Sequence, residues 1–154
     1  MNSLVRRFIK TAFGFLVLGV LLGLTMLVQR ELGGNWPPPY VVSAHKHAIF
    51  VGFVMFMILG VALWIFPRAR ADDPRFRPGR IALVYWLLLT GTLARFSGEL
   101  LRGYAGLSAM GGVIVAGGVA QVASFLLYIW TMWYRIRPAG RGRREATERS
   151  APEP

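Results

Sequence analysis

The sequence predicts an all-α protein, a four-helix transmembrane bundle, and three observations predict it. Four apolar runs, roughly residues 8–28, 45–66, 81–101 and 112–133, each approach the ~20 residues that one helix needs to cross the hydrocarbon core of a bilayer. The chain is 55% hydrophobic with a mean hydropathy of +0.47, too apolar for a soluble domain of 154 residues. Its charge is sorted as well: 14 of the 18 basic residues precede the first run, fill the loop between the second and third, or follow the fourth. The positive-inside rule then places both termini in the cytoplasm and the loops after the first and third runs outside. Residues 1–137 read as one membrane domain. Residues 138–154, rich in Pro, Gly, Arg, Glu and Ser, read as a disordered basic cytoplasmic tail.

A net charge of +11 is therefore a topology signal first, with contact to anionic lipid headgroups as its by-product. Membrane lipid is the expected partner and nucleic acid is not. The expected location is a bacterial inner (plasma) membrane. With no cysteine, the chain has no disulfide, thiolate metal site, cysteine nucleophile or Cys-x-x-Cys-His haem attachment.

In chain order, the first run follows Arg6, Arg7 and Lys10, as a signal peptide would. It is too long for such a segment and no small-x-small cleavage site follows it, so it reads as a retained helix. Gly19 and Gly23 form a small-xxx-small pair that permits tight packing inside the bundle. The next loop, Glu31 to Ser43, carries Gly33-Gly34 and Pro37-Pro38-Pro39, which predict a turn followed by an extended segment over the outer end. Trp36 and Tyr40 suit the membrane interface. Pro67 is expected to end the second helix, and Pro74 and Pro78 to keep the arginine-rich connector out of helix. In the fourth span, Gln121 needs a hydrogen-bond partner and is expected to find it against the third helix.

Both histidines, His45 and His47, stand at the mouth of the second span. At about 100° per residue they point to nearly opposite sides. His45 shares its side with Ile49, Gly52, Phe56 and Leu63, with Gly60 off-centre. His47 shares its side with Val51, Val54, Ile58, Val61 and Ile65, a stripe that suits lipid. Glycines allow close approach of a partner helix or a flat macrocycle, so His45 is the expected ligand and His47 its rival.

The third span carries Arg95, Glu99 and Arg102 at i, i+4 and i+7, on one face. Arg95 lies roughly 9 Å inside the outer end. Groups at such depth turn inward and need partners. Arg95 and Glu99 form either a structural ion pair or, with Arg102, part of a site for an anionic group. The outer half of the bundle thus gathers a histidine on a glycine face, two arginines, a glutamate and a glutamine. Imidazole is a good axial ligand for iron, and the propionates of a haem want cations, which Arg95, Arg102 and Lys46 provide. Copper held by His45 and His47, or no metal at all, is the alternative.

The run HKHAIFVGFVMFMILGVALWIFPR, a histidine at the outer end of a second span followed by a glycine-punctuated aromatic stretch closing on proline, resembles helix II of subunit I of the haem–copper oxidase superfamily. That superfamily includes the nitric oxide reductases, and the chain looks most like short four-helix proteins related to that subunit. The resemblance covers about 25 residues and implies that His45, or alternatively His47, ligates haem b. The other histidines of the large subunits have no counterpart here, so a complete binuclear centre within one chain is ruled out. The sixth position would be open, taken by Met26 or Met110, or supplied by a second protomer in a homo-oligomer. The function expected is binding of a diatomic gas, O₂ or NO. A nitric oxide dioxygenase, forming nitrate from NO and O₂, would need this one haem and an electron donor, quinol or redox protein. The alternatives are a quinol-linked electron-transfer cytochrome and a non-enzymatic metal-binding or assembly subunit.

Overall fold

The computed structural model describes residues 3–66 and 77–136. Four of its helical stretches are long and apolar enough to cross a membrane, as expected. They are α1 (Ser3–Glu31); a second span, Pro39–Ile65, built of α2 (Pro39–His47), a π-helical segment (Ala48–Met55) and α3 (Phe56–Ile65); α4 (Pro78–Tyr104); and α5 (Gly111–Met132). Short 3₁₀ turns, Ser108–Met110 and Trp133–Arg135, flank α5. Both ends of the described chain lie at the same end of the bundle, called here the terminal end; the loops 32–38 and 105–107 lie at the distal end.

The first three spans are longer than the apolar runs of the sequence indicate, and the second begins earliest relative to its run, at Pro39 rather than residue 45. Prolines account for the early starts of the second span and of α4. Pro38, in a polyproline conformation (φ −57°, ψ 142°), is the N-cap, and Pro39 takes the first helical position, where a missing N–H costs nothing. The loop expected to reach Ser43 therefore stops at Pro38, and Tyr40 to Ser43 are helical. α4 likewise opens on Pro78 after an extended Arg77. Two glycines stop helices. Gly34 (φ +65°) follows α1, and Gly106 (φ +66°) turns the chain so that the Leu107 N–H meets the Leu101 carbonyl after α4. The arginine-rich connector over 67–76 and the tail from 137 lie outside the described residues.

Glycines govern how closely the helices approach. A side chain at Gly60 would stand 2.8 Å from Phe8 Cβ, and one at Gly19 would stand 2.5 Å from Ile49, so α1 lies hard against the second span. Between α4 and α5, Gly91 and Gly117 meet backbone to backbone, each blocking the other's missing side chain at under 3 Å. Gly103 of α4 admits Val41 of α2. The Gly19/Gly23 pair is thus used inside the chain.

The apolar core fills the terminal half. Phe8, Phe15, Phe56 and Tyr85 make an aromatic cluster with centroids 5.2–6.0 Å apart, joined by Leu59, Val84, Leu88 and Met132. Two polar groups there hold α5 to the second span: Tyr128 Oη donates to the Leu59 carbonyl at 2.9 Å, and the buried Arg135 donates to the carbonyls of Phe66 (2.9 Å) and Leu63 (3.3 Å). Arg135 thereby caps the C-terminus of α3, whose last carbonyls have no partner within the helix. Its sequence position had suggested only a cytoplasmic charge.

The π-helical segment sets the register of the second span. Its i→i+5 bonding makes a wider turn than the α-helix, so it offsets the drift that residues four apart accumulate in the flanking α-helical turns. Ala44, Ala48, Gly52 and Phe56 are all buried along one line, whereas an α-helix would have swung that line by roughly a third of a turn. Past it, Ile58 and Ile65 face outward, as the expected lipid stripe does, but His47 does not follow them.

The glycine packing is testable. Adding a side chain at Gly52 drives it into the Phe15 ring, whereas Gly14 of α1 has open space beside it. Gly52→Val should lower stability by about 1–3 kcal/mol, the cost of overpacking, and Gly14→Val should leave it unchanged, read as thermal midpoints in detergent.

Candidate functional site

The two histidines leave α2 in different directions, as their spacing requires. His45 turns to α1. Its Nδ1 lies 2.9 Å from the Gly19 carbonyl oxygen, which can only accept, so Nδ1 carries a hydrogen and in the neutral ring the lone pair is on Nε2. A side chain at Gly23 would stand 2.8 Å from His45 Cε1, so the imidazole occupies the notch that this glycine leaves.

His47 turns instead toward α4 and a polar cluster. Its Nδ1 donates to the Ser43 carbonyl one turn back (2.9 Å) and lies 3.6 Å from Glu99 Oε2. Glu99 Oε1 accepts from Ser43 Oγ (2.9 Å) and from Arg95 Nε (3.0 Å). The Glu99 side chain is 2% exposed, against 28% for Arg95 and 23% for His47. Glu99 Oε2 has no hydrogen-bond partner among the described residues. Since α4 runs to Tyr104, Arg95 lies about 14 Å from the helix end by helix rise, deeper than its span boundary in the sequence implied.

The other candidate residues are spread around this centre. Arg102 places its guanidinium over the Tyr40 ring, 4.5 Å from the centroid, and beside Gly111 of α5. Lys46 is exposed next to the histidines. Arg30 pairs with Glu31 at 2.6 Å and lies over Trp36. Gly52 abuts Phe15, so the space it leaves is taken by helix packing. Gln121 donates to Thr92 Oγ1 at 3.1 Å, the expected bond between the fourth and third spans. An apolar groove of about 380 Å³ follows α3 toward the terminal end, lined by Met57, Ile58, Val61, Ala62, Ile65 and Phe66, apart from both histidines.

Sequence reasoning brought Arg95 and Glu99 together correctly and missed Ser43 and Tyr40. Both had been assigned to the loop. Ser43 stands four residues before His47, a spacing that places two side chains on one helix face, but that signal is readable only once the helix is known to begin at Pro39.

Chemically, the site offers one imidazole with a free Nε2 at the α1 interface and, on the far side of α2, a buried carboxylate held by a guanidinium and a hydroxyl. Among the described residues no three His, Cys, Asp or Glu side chains come together as a metal cage. The chain matches no known protein family, no curated protein and no solved structure.

Removing one member of a buried ion pair strands the other in a medium of low dielectric constant. Arg95→Leu should therefore cost about 3–5 kcal/mol, while Arg95→Leu with Glu99→Leu should be more stable than Arg95→Leu alone. Unfolding of the three proteins in detergent micelles measures the coupling.

Proposed function

We propose that this chain is an integral membrane b-type haem protein, related to subunit I of the haem–copper oxidases, in which His45 holds the haem and a diatomic gas binds the iron. The observation that carries this reading is the hydrogen bond from His45 Nδ1 to the Gly19 carbonyl. Histidines that ligate metals give their second ring N–H to such an acceptor, which fixes the tautomer and the ring plane and makes the ligating nitrogen more basic. Nε2 is then the free donor atom. A single imidazole suits a haem, whose macrocycle brings four nitrogens of its own, and the donor set of this chain fits that requirement.

His47 is the poorer ligand because its environment is that of a structural group, bonded to Ser43 and packed beside Glu99. The cations suited to haem propionates are Arg102, steadied on Tyr40, and the exposed Lys46. Arg95 is committed to Glu99. When bound, the haem supplies an iron atom able to hold O₂ or NO, and nitric oxide dioxygenase activity is the proposed reaction. The protein's own part is to orient His45 through Gly19, to exclude water with the apolar spans, and to compensate the propionates. In this reading both termini lie in the cytoplasm and the distal end faces outward, as the distribution of arginines favours.

Met26, one helical step of three past Gly23 on α1 and partly buried, favours a second reading, an electron-transfer cytochrome whose sixth ligand is its thioether.

Visible spectra of purified variants test the assignment. His45→Ala should abolish the Soret band and His47→Ala should retain it; the opposite result moves the ligand by two residues. Met26→Leu should leave the spectrum unchanged if the sixth position is open, and should convert a low-spin spectrum to high-spin if the second reading holds.

A further inference from the structure

The three glycines of α1 have different neighbours. A side chain at Gly14 would meet nothing, and one at Gly19 would meet the aliphatic Ile49 and Ala48 of the second span. At Gly23 the three atoms it would meet first, Cε1 at 2.8 Å, Nδ1 at 3.3 Å and Nε2 at 3.7 Å, all belong to the His45 ring. Gly23 therefore makes room for one imidazole rather than for a helix.

The place of that room follows from helix geometry. In α1 the Gly19 carbonyl points along the axis toward the N–H of Gly23, four residues on, and accepts from it. The oxygen has a second lone pair, open to a donor from outside the helix. A Cβ tilts toward the helix N-terminus, so a side chain at 23 would lean back over that approach. His45 Nδ1 makes the approach and donates to the oxygen at 2.9 Å. Carbon atoms rest about 3.5–4.0 Å apart, so a methyl group on Gly23 would push Cε1 away by roughly 0.7 Å. A 2.9 Å contact stretched by that amount is no longer a hydrogen bond. Gly19 and Gly23 thus act as a pair, one supplying the acceptor and the other the access to it, a use beyond the helix packing that their spacing signals.

We propose that Gly23 is a positioning residue for His45: by leaving the Gly19 carbonyl accessible it holds the hydrogen on Nδ1, fixes the ring plane and directs Nε2. The notch rests on the geometry of α1 and α2 alone, whereas the purpose given to Nε2 rests on the reading of His45 as the haem ligand.

The test is nuclear magnetic resonance of the full chain, without haem, carrying isotope-labelled histidine in detergent micelles at about pH 9, above the titration range of imidazole. The chain has two histidines, and His47→Ala identifies the His45 signals. The wild type should show His45 with its hydrogen on Nδ1 and a bare Nε2, and a through-space contact between His45 Hε1 and the α-hydrogens of Gly23. Gly23→Ala should lose the Nδ1-bound hydrogen as the dominant form, and Gly14→Ala should retain it. A wild-type ring with its hydrogen on Nε2, no contact from Hε1 to Gly23, or a Gly23→Ala ring indistinguishable from the wild type would overturn the proposal; the first two results need no variant that folds. A second arm adds haem. Gly23→Ala should weaken its retention about 10–100-fold, the usual loss when a ligand's outer partner is removed, and Gly14→Ala should leave it unchanged. Equal retention in Gly23→Ala and the wild type would overturn the positioning role. A wild type with the expected histidine signals that takes up no haem would instead defeat the haem reading and support the notch alone.

Discussion

The carboxylate of Glu99 is the constraint around which the distal half of this molecule is arranged. It lies 2% exposed inside a helix that is otherwise apolar enough to cross a membrane, where no bulk water can solvate it. Its charge is met from its own helix by Arg95, one turn away, and its lone pairs are met in part by Ser43 of α2. Satisfying one group therefore ties two spans together. The small residues follow from it as well: Gly103 lets α2 approach α4 closely enough for Ser43 to reach, and Gly117 and Gly118 leave room for Arg95 beside α5.

That contact depends on a second feature, the winding of the second span. An α-helix from Pro39 to Ile65 could not keep Ala44, Ala48, Gly52 and Phe56 on one buried line. The π-helical segment immediately after His47 does so, and it thereby fixes the direction in which α2 points relative to α3. Both histidines precede it in α2, where their spacing turns one to the Gly19 carbonyl and the other toward Glu99. The terminal half needs no such device. Its aromatic cluster and the two carbonyl-capping groups, Tyr128 and Arg135, hold the four spans without a buried acid.

Much of this was legible in the sequence, for physical reasons that differ by residue. The spans could be read because a bilayer demands long apolar runs, and the Arg95–Glu99 pair because i, i+4 spacing on a helix leaves little choice. The divergence of His45 and His47 followed from helix geometry alone. What each faces did not, since 100° per residue fails across a π-helical segment and nothing in AIFVGFVM announces one. Gly52 illustrates the limit. A glycine on a buried face signals close approach, and only the fold tells that Phe15 is what approaches. Ser43, Tyr40 and Arg135 were hidden by helix boundaries, because a polar residue assigned to a loop is read as solvated.

The central claim is that His45 holds a haem whose iron is open to a gas. It is tested most directly by the visible spectrum of the purified wild-type chain, reduced with dithionite and then exposed to carbon monoxide, with the haem quantified against protein. The account predicts one b-type haem per chain and a Soret band that shifts at once on adding the gas. A chain that purifies folded, helical and without haem, and that takes up none on addition, would contradict it. The His45–Gly19 hydrogen bond would then be a helix-packing contact alone.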